Sequence, residues 1–182
     1  MIAARAALRA ATAEDHARLD GLFERFDLGD RDGYGRFLAA HAAAVPPIEQ
    51  ALDTAGMARL LPDWTSRRRS AAVRADLAAL GLAVPPPLAA PLLADDAACW
   101  GTAYVIEGSR LGGALLARSV GNGLPRAYLA APQPKGAWRD FLTRLEVALD
   151  SEGRLADATA AARATFAIFE AAGRLEMERI DG

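Results

Sequence analysis

His16 is one of only two histidines in the chain, and its neighbours mark it as a place where chemistry could happen. Stepping by three and four residues from His16 reaches Leu19, Phe23 and Phe26, so the imidazole shares an apolar helical stripe. Asp20 follows at i+4, close enough to accept a hydrogen bond from one ring nitrogen while the other faces a metal. Arg9 precedes His16 by two turns, about 10 Å along the same face at the helical rise. An iron on His16 and an acidic group on Arg9 would match the reach of a porphyrin and its propionates. The competing reading is a core histidine whose polarity Asp20 satisfies.

A second segment breaks local rules. The run from Tyr104 to Leu116 has strongly helical flanks, yet Gly108, Gly112 and Gly113 sit in its interior. Each glycine costs about 1 kcal/mol relative to alanine inside a helix. Gly108 and Gly112 share one face, with Ser109 and Gly113 beside them. A face without side chains admits either a flat ligand or another backbone at close range. Glu107 and Arg110 exclude a membrane dimer face.

The elements that must position these residues are helices. Alanine, leucine and arginine dominate, β-branched residues are scarce, and no segment alternates apolar with polar residues long enough to make a strand. Glycine and proline clusters divide the chain into predicted helices over 3–27, 33–60, 66–80, 88–120, 136–150 and 154–179. Pro46-Pro47 must break or kink the second, and the fourth is expected to divide near Asp95-Asp96, which can cap a new helix. The 182 residues suit a single all-α domain, 1–182, with one core.

Bulk properties exclude several function classes. The formal charge is -2, which offers no concentrated basic face for nucleic acid. The run Arg67-Arg68-Arg69 is read as a solvated helix start. A single cysteine, Cys99, permits neither an intramolecular disulfide nor a thiolate cluster and fits a reducing compartment. No stretch approaches the roughly 18 uninterrupted apolar residues of a spanning helix. The acid-free opening residues lack an apolar h-region and run into the first helix, so the expected location is cytoplasmic and no membrane partner is implied.

Taken together, these segments resemble the bacterial heme oxygenase family, and most closely the members that accompany bacteriophytochromes. The likeness is carried by Leu8-Arg-Ala-Ala-Thr-Ala-Glu-Asp-His16 and Glu107-Gly-Ser-Arg-Leu-Gly112. It continues through Tyr34-Gly-Arg-Phe-Leu, Asp63-Trp64, Asp76-Leu-Ala-Ala-Leu-Gly81, Trp138-Arg-Asp-Phe-Leu and Ala164-Thr-Phe-Ala-Ile-Phe169, covering essentially the whole chain in order.

The resemblance implies a multi-helix bundle with heme between a proximal helix and a kinked, glycine-rich distal helix. It implies His16 as the iron ligand, Asp20 as the carboxylate that steadies the imidazole, and Arg9 as a propionate partner. Lys135 and Arg139 are the foremost candidates for the second propionate. Gly108, Ser109, Gly112 and Gly113 would form the distal wall, with His41 and Asp27 as more remote contributors to a distal water network. The implied reaction opens heme, at once cofactor and substrate, to biliverdin, carbon monoxide and iron, using O2 and electrons from a ferredoxin or a small reductant. A bacteriophytochrome is a possible acceptor of the biliverdin. The animal enzymes carry aspartate where this chain has Ser109, a serine that bacterial members share. That departure keeps open a catalytically silent heme sensor or carrier on the same fold. A di-iron oxidase would want Glu-x-x-His spacing, and neither His16 nor His41 has it. A thiaminase-like hydrolase would have to use Cys99, which has no histidine near it in sequence.

Overall fold

A computed structural model describes residues 3–181, and among them every regular element is a helix. In chain order these are α1 (Ala4–Ala11), α2 (Ala13–Phe23), α3 (Arg31–Thr54), α4 (Met57–Leu60), α5 (Trp64–Arg67), α6 (Ser70–Ala79), α7 (Asp96–Leu116), α8 (Ala137–Ala148) and α9 (Glu152–Asp181). The long α9 is the common back wall, with α7, α3, α2 and α1 all laid against it. Its buried face, Ala158, Ala162, Phe166, Phe169 and Ala172, is small where α7 crosses and aromatic where α2 and α3 pack. At that crossing Gly101 of α7 lies directly on the α9 backbone, and a Cβ there would fall 1.9 Å from the Ala158 carbonyl oxygen.

The first, second and fourth predicted helices depart from their outlines, each for a local reason. The first predicted helix is two. Thr12 leaves the helical region at φ -107, ψ 7, and its hydroxyl donates to the Leu8 carbonyl at 2.8 Å. Glu14 and Asp15 then lie in the first turn of α2, where acids suit the positive helix end. Arg9 and His16 therefore belong to successive helices rather than to one continuous face. Pro46-Pro47 does not break α3, which runs on to Thr54. A proline at 47 removes the donor that would have met the Ala43 carbonyl, and Leu88 N–H supplies the missing hydrogen bond at 2.9 Å. Past the αL residue Gly56, the remainder of the second predicted helix is the separate short turn α4.

The fourth predicted helix begins later than expected. Residues 83–94 form no helix, because Pro85, Pro86, Pro87 and Pro91 neither donate nor let their predecessors settle into helix. Asp95 then caps α7, accepting from Ala98 N–H at 2.8 Å, and the helix passes through all three interior glycines to Leu116.

Candidate heme-binding cleft

His16 lies on the outside of α2 with its side chain 64% exposed, so it is not a core histidine. Its Nδ1 is 2.9 Å from Asp20 Oδ2, and the ring edge meets Phe166 of α9 with centroids 5.9 Å apart. With Nδ1–H donating to the carboxylate, the free Nε2 is the nitrogen left to ligate a metal. The i+4 spacing read from the sequence thus produces the expected pair, and only the burial differs.

The glycine segment is equally open. A Cβ on Gly112 would meet nothing within 4 Å, and one on Gly108 only the far edge of the Trp138 ring at 3.9 Å. No other backbone presses on either residue, so helix packing does not account for them. Leu111 and Leu115 share that stripe at i+3 and i+7 from Gly108 and stand 46% and 65% exposed. Gly113 faces the other way, buried at ordinary contact distance from Leu129.

The α1–α2 arm is linked to α7 through charge at one end and through packed rings at the other. At one end the Tyr104 phenol is pushed up by burial and pulled back by Arg5 and Arg9, whose charges act on it from α1. Tyr104 also packs near Trp138 of α8, which closes over Gly108. At the other end Phe23 of α2 meets His41 of α3 at 4.9 Å, and His41 meets Tyr128 at 5.2 Å and Phe169 at 5.6 Å. The Arg69 guanidinium sits 5.0 Å over the Tyr128 ring and donates to Ser109 Oγ at 2.6 Å. His16 and Asp20 are exposed on α2, and Leu111, Gly112 and Leu115 are exposed on α7.

The basic run is where the sequence reading fails. Arg67 and Arg69 are buried at 4% and 2% exposure, not solvated. Arg67 pairs with Glu107 Oε2 at 2.7 Å and with Asp63 at 2.8 Å. Glu49 accepts the backbone N–H groups of Arg69 and Ser70 at 2.6 and 3.0 Å. Arg110 donates to the Arg67 carbonyl and lies 3.5 Å from Glu107. Buried charges survive only when paired and hydrogen-bonded, and these carboxylates come from α3, α7 and the residue before α5. The outcome is a rigid polar layer beneath the distal half of α7.

Ser109 is fixed by this layer. Its hydroxyl donates to the Ile106 carbonyl at 2.7 Å and accepts from Arg69, so its proton is already committed. His41 donates from Nδ1 to the Phe37 carbonyl at 2.8 Å, and burial among aromatic rings drives its pKa down to about 4. It therefore stays neutral at physiological pH. Asp27 accepts from Gly29 N–H at 2.8 Å and shapes the turn after α2. Lys135 and Arg139 line a shallow groove with Asp63, Arg67, Asp140 and Thr143 at the start of α8. Tyr104, Arg69 and Tyr128 were not singled out from sequence. Tyr104 precedes Gly108 by four residues on the same stripe, and that spacing was the available signal.

The residues present fit a heme. One imidazole nitrogen is held and the other is free to ligate, and α7 carries an open glycine flanked by exposed leucines. Among the described residues no group of three or more histidine, cysteine, aspartate or glutamate side chains converges as a di-iron centre would need. No described helix is long and apolar enough to cross a membrane.

Comparison with known proteins points the same way. No protein-family model matches the chain. A heme oxygenase of Xanthomonas campestris pv. campestris is 40% identical over 151 residues, covering 77% of this chain and 88% of the relative. Heme oxygenase PigA of Pseudomonas aeruginosa is 34% identical over 145 residues, 74% of this chain and 73% of that protein. The fold matches the heme oxygenase of Neisseria meningitidis, solved in NO- and CO-bound forms, with a TM-score of 0.81 and 25% identity over 97% of this chain and 92% of that one.

Proposed function

The chain belongs to the heme oxygenase family, and from that premise we propose how its residues divide the work. Heme is the substrate, opened with O2 and external electrons to biliverdin, carbon monoxide and ferrous iron. The observation that carries the assignment of roles is the exposed His16 with its Nδ1 tied to Asp20, and the open Cβ position of Gly112 on α7 supports it.

His16 Nε2 holds the iron, and Asp20 fixes the imidazole's tautomer and direction. Arg9 binds one propionate, and Lys135 and Arg139 serve the second. Gly108 and Gly112 let the α7 backbone close over the ring. Ser109 offers a lone pair rather than a proton, since its hydrogen goes to Ile106. The distal side therefore anchors water without presenting a charged acid, and such a site disfavours cleavage of the O–O bond in place of attack on the ring. Electrons come from a separate donor such as a ferredoxin or a small reductant, biliverdin passes to a bacteriophytochrome, and the enzyme works in the cytoplasm.

Heme titration followed by ascorbate in air tests this reading. The wild-type protein forms a Soret band and loses it to a bilin, whereas a silent carrier keeps the band. His16→Ala should bind heme weakly and form no bilin. Bilin formation at the wild-type rate by that variant, without added imidazole, would remove His16 from the role.

A further inference from the structure

We propose that Glu146, on α8, is a positioning residue for the propionate end of the cleft, holding α1 so that Arg9 can reach its target. The inference rests on the reading of Arg9 as a propionate ligand. With only eight residues, α1 is too short to be stable alone. Its N-cap residue, Ala3, makes no side-chain capping bond, and its first turn carries no acid. Glu146 supplies both from another helix: Oε2 accepts from Ala4 N–H at 2.8 Å and Oε1 from Arg5 N–H at 3.0 Å. A carboxylate across two free N–H groups satisfies orphan donors and complements the positive end of the helix dipole.

At the opposite end, Arg163 of α9 donates to the Ala11 carbonyl at 2.7 and 3.2 Å, a cation at the negative end. Charges of opposite sign thus grip both ends of α1, while only Ala4 and Leu8 are buried along it. Arg5 and Arg9, four residues apart on one face, lie between the grips and act on Tyr104. The break at Thr12 separates α1 from α2. Loss of Glu146 therefore lets α1 swing at its free end while His16 keeps its place, and the defect should be confined to the propionate side.

The test is a heme titration of the full-length apo protein, read at the Soret band, for Glu146→Ala and Glu146→Gln in wild-type and Arg9→Ala backgrounds. Glu146→Ala should weaken heme affinity about 3- to 10-fold, the range open to a lost charge at a helix end. The Soret position should not move, because His16 still ligates. In the Arg9→Ala background the further loss should vanish. Glu146→Gln keeps one acceptor oxygen and should lose less, and it carries the same comparison if the alanine variant does not fold. Affinity equal to wild type despite a lower apo melting temperature would overturn the proposal, as would a loss that adds in full to that of Arg9→Ala. If Arg9→Ala alone leaves affinity unchanged, the propionate reading itself falls and takes this inference with it.

Discussion

Along α7, Gly101 sits where the helix crosses α9, and a Cβ there would lie 1.9 Å from the Ala158 oxygen and 2.6 Å from its carbonyl carbon. About three turns further on, Gly112 faces open space, with nothing within 4 Å of its Cβ position. One half of the helix uses glycine to bring two backbones together, and the other uses it to keep a wall bare. The same residue type thus serves folding at one end and, in the proposed function, a ligand at the other. Substitution separates the two purposes, because packing losses appear in the apo protein and cleft losses only when heme is present.

The largest expected effect is at the crossing. Gly101→Ala forces a methyl onto a backbone carbonyl that has no rotamer to yield, and should cost about 3 kcal/mol or more in apo stability. An apo melting temperature within a degree of wild type would mean that α7 and α9 are not so close, and the contrast between the two halves would collapse.

The distal half should instead be sensitive to acid. His41, part of its support through Tyr128, has its folded pKa depressed to about 4 from an ordinary 6.5. The unfolded chain binds the proton more readily, so His41 contributes stability that is complete above pH 6.5 and is lost as pH falls toward 4. The loss should be on the order of 1–3 kcal/mol. His41→Leu should flatten that part of the profile of apo melting against pH. An unchanged profile would show that His41 protonates freely and does not brace the site.

Smaller still in stability, but decisive for function, is Gly112→Ala. Alanine favours the helix by about 1 kcal/mol, so the apo protein should hold or gain stability. Ascorbate-driven bilin yield should fall, since the methyl projects where the ring and its oxygen must sit. A more stable protein with undiminished yield would strip the bare stripe of its role. The least effect on folding is expected from Leu115→Ser, within about 0.5 kcal/mol, because the leucine is largely exposed. Heme affinity should nonetheless drop, and an unchanged affinity would place Leu115 outside the cleft.

What could be read in advance follows the range of the forces involved. The His16–Asp20 pair, the Asp95 cap and the oddity of Gly108 and Gly112 are local relations within one or two turns, and each stands in the structure as spacing suggested. The Arg67-Arg68-Arg69 run misled because its counter-charges, Glu49 and Glu107, lie far along the chain in either direction. Pro46-Pro47 does not end α3 for a similarly long-range reason: Leu88, from a distant loop, answers the carbonyl that the proline left free. Gly101 looked unremarkable, since nothing near it in sequence announces Ala158.

The sequence by itself determined the helical class, the i+4 pairing of His16 with Asp20, and the helix that carries glycines in its interior. These follow from helical periodicity and propensity, which act over a few residues. Tertiary structure alone decided that Arg69 reaches Ser109, that the charges of Arg5 and Arg9 act on Tyr104, and that Glu146 caps a helix it does not belong to. Each of those depends on how whole helices cross, and crossing is set by packing between surfaces that no local pattern brings together.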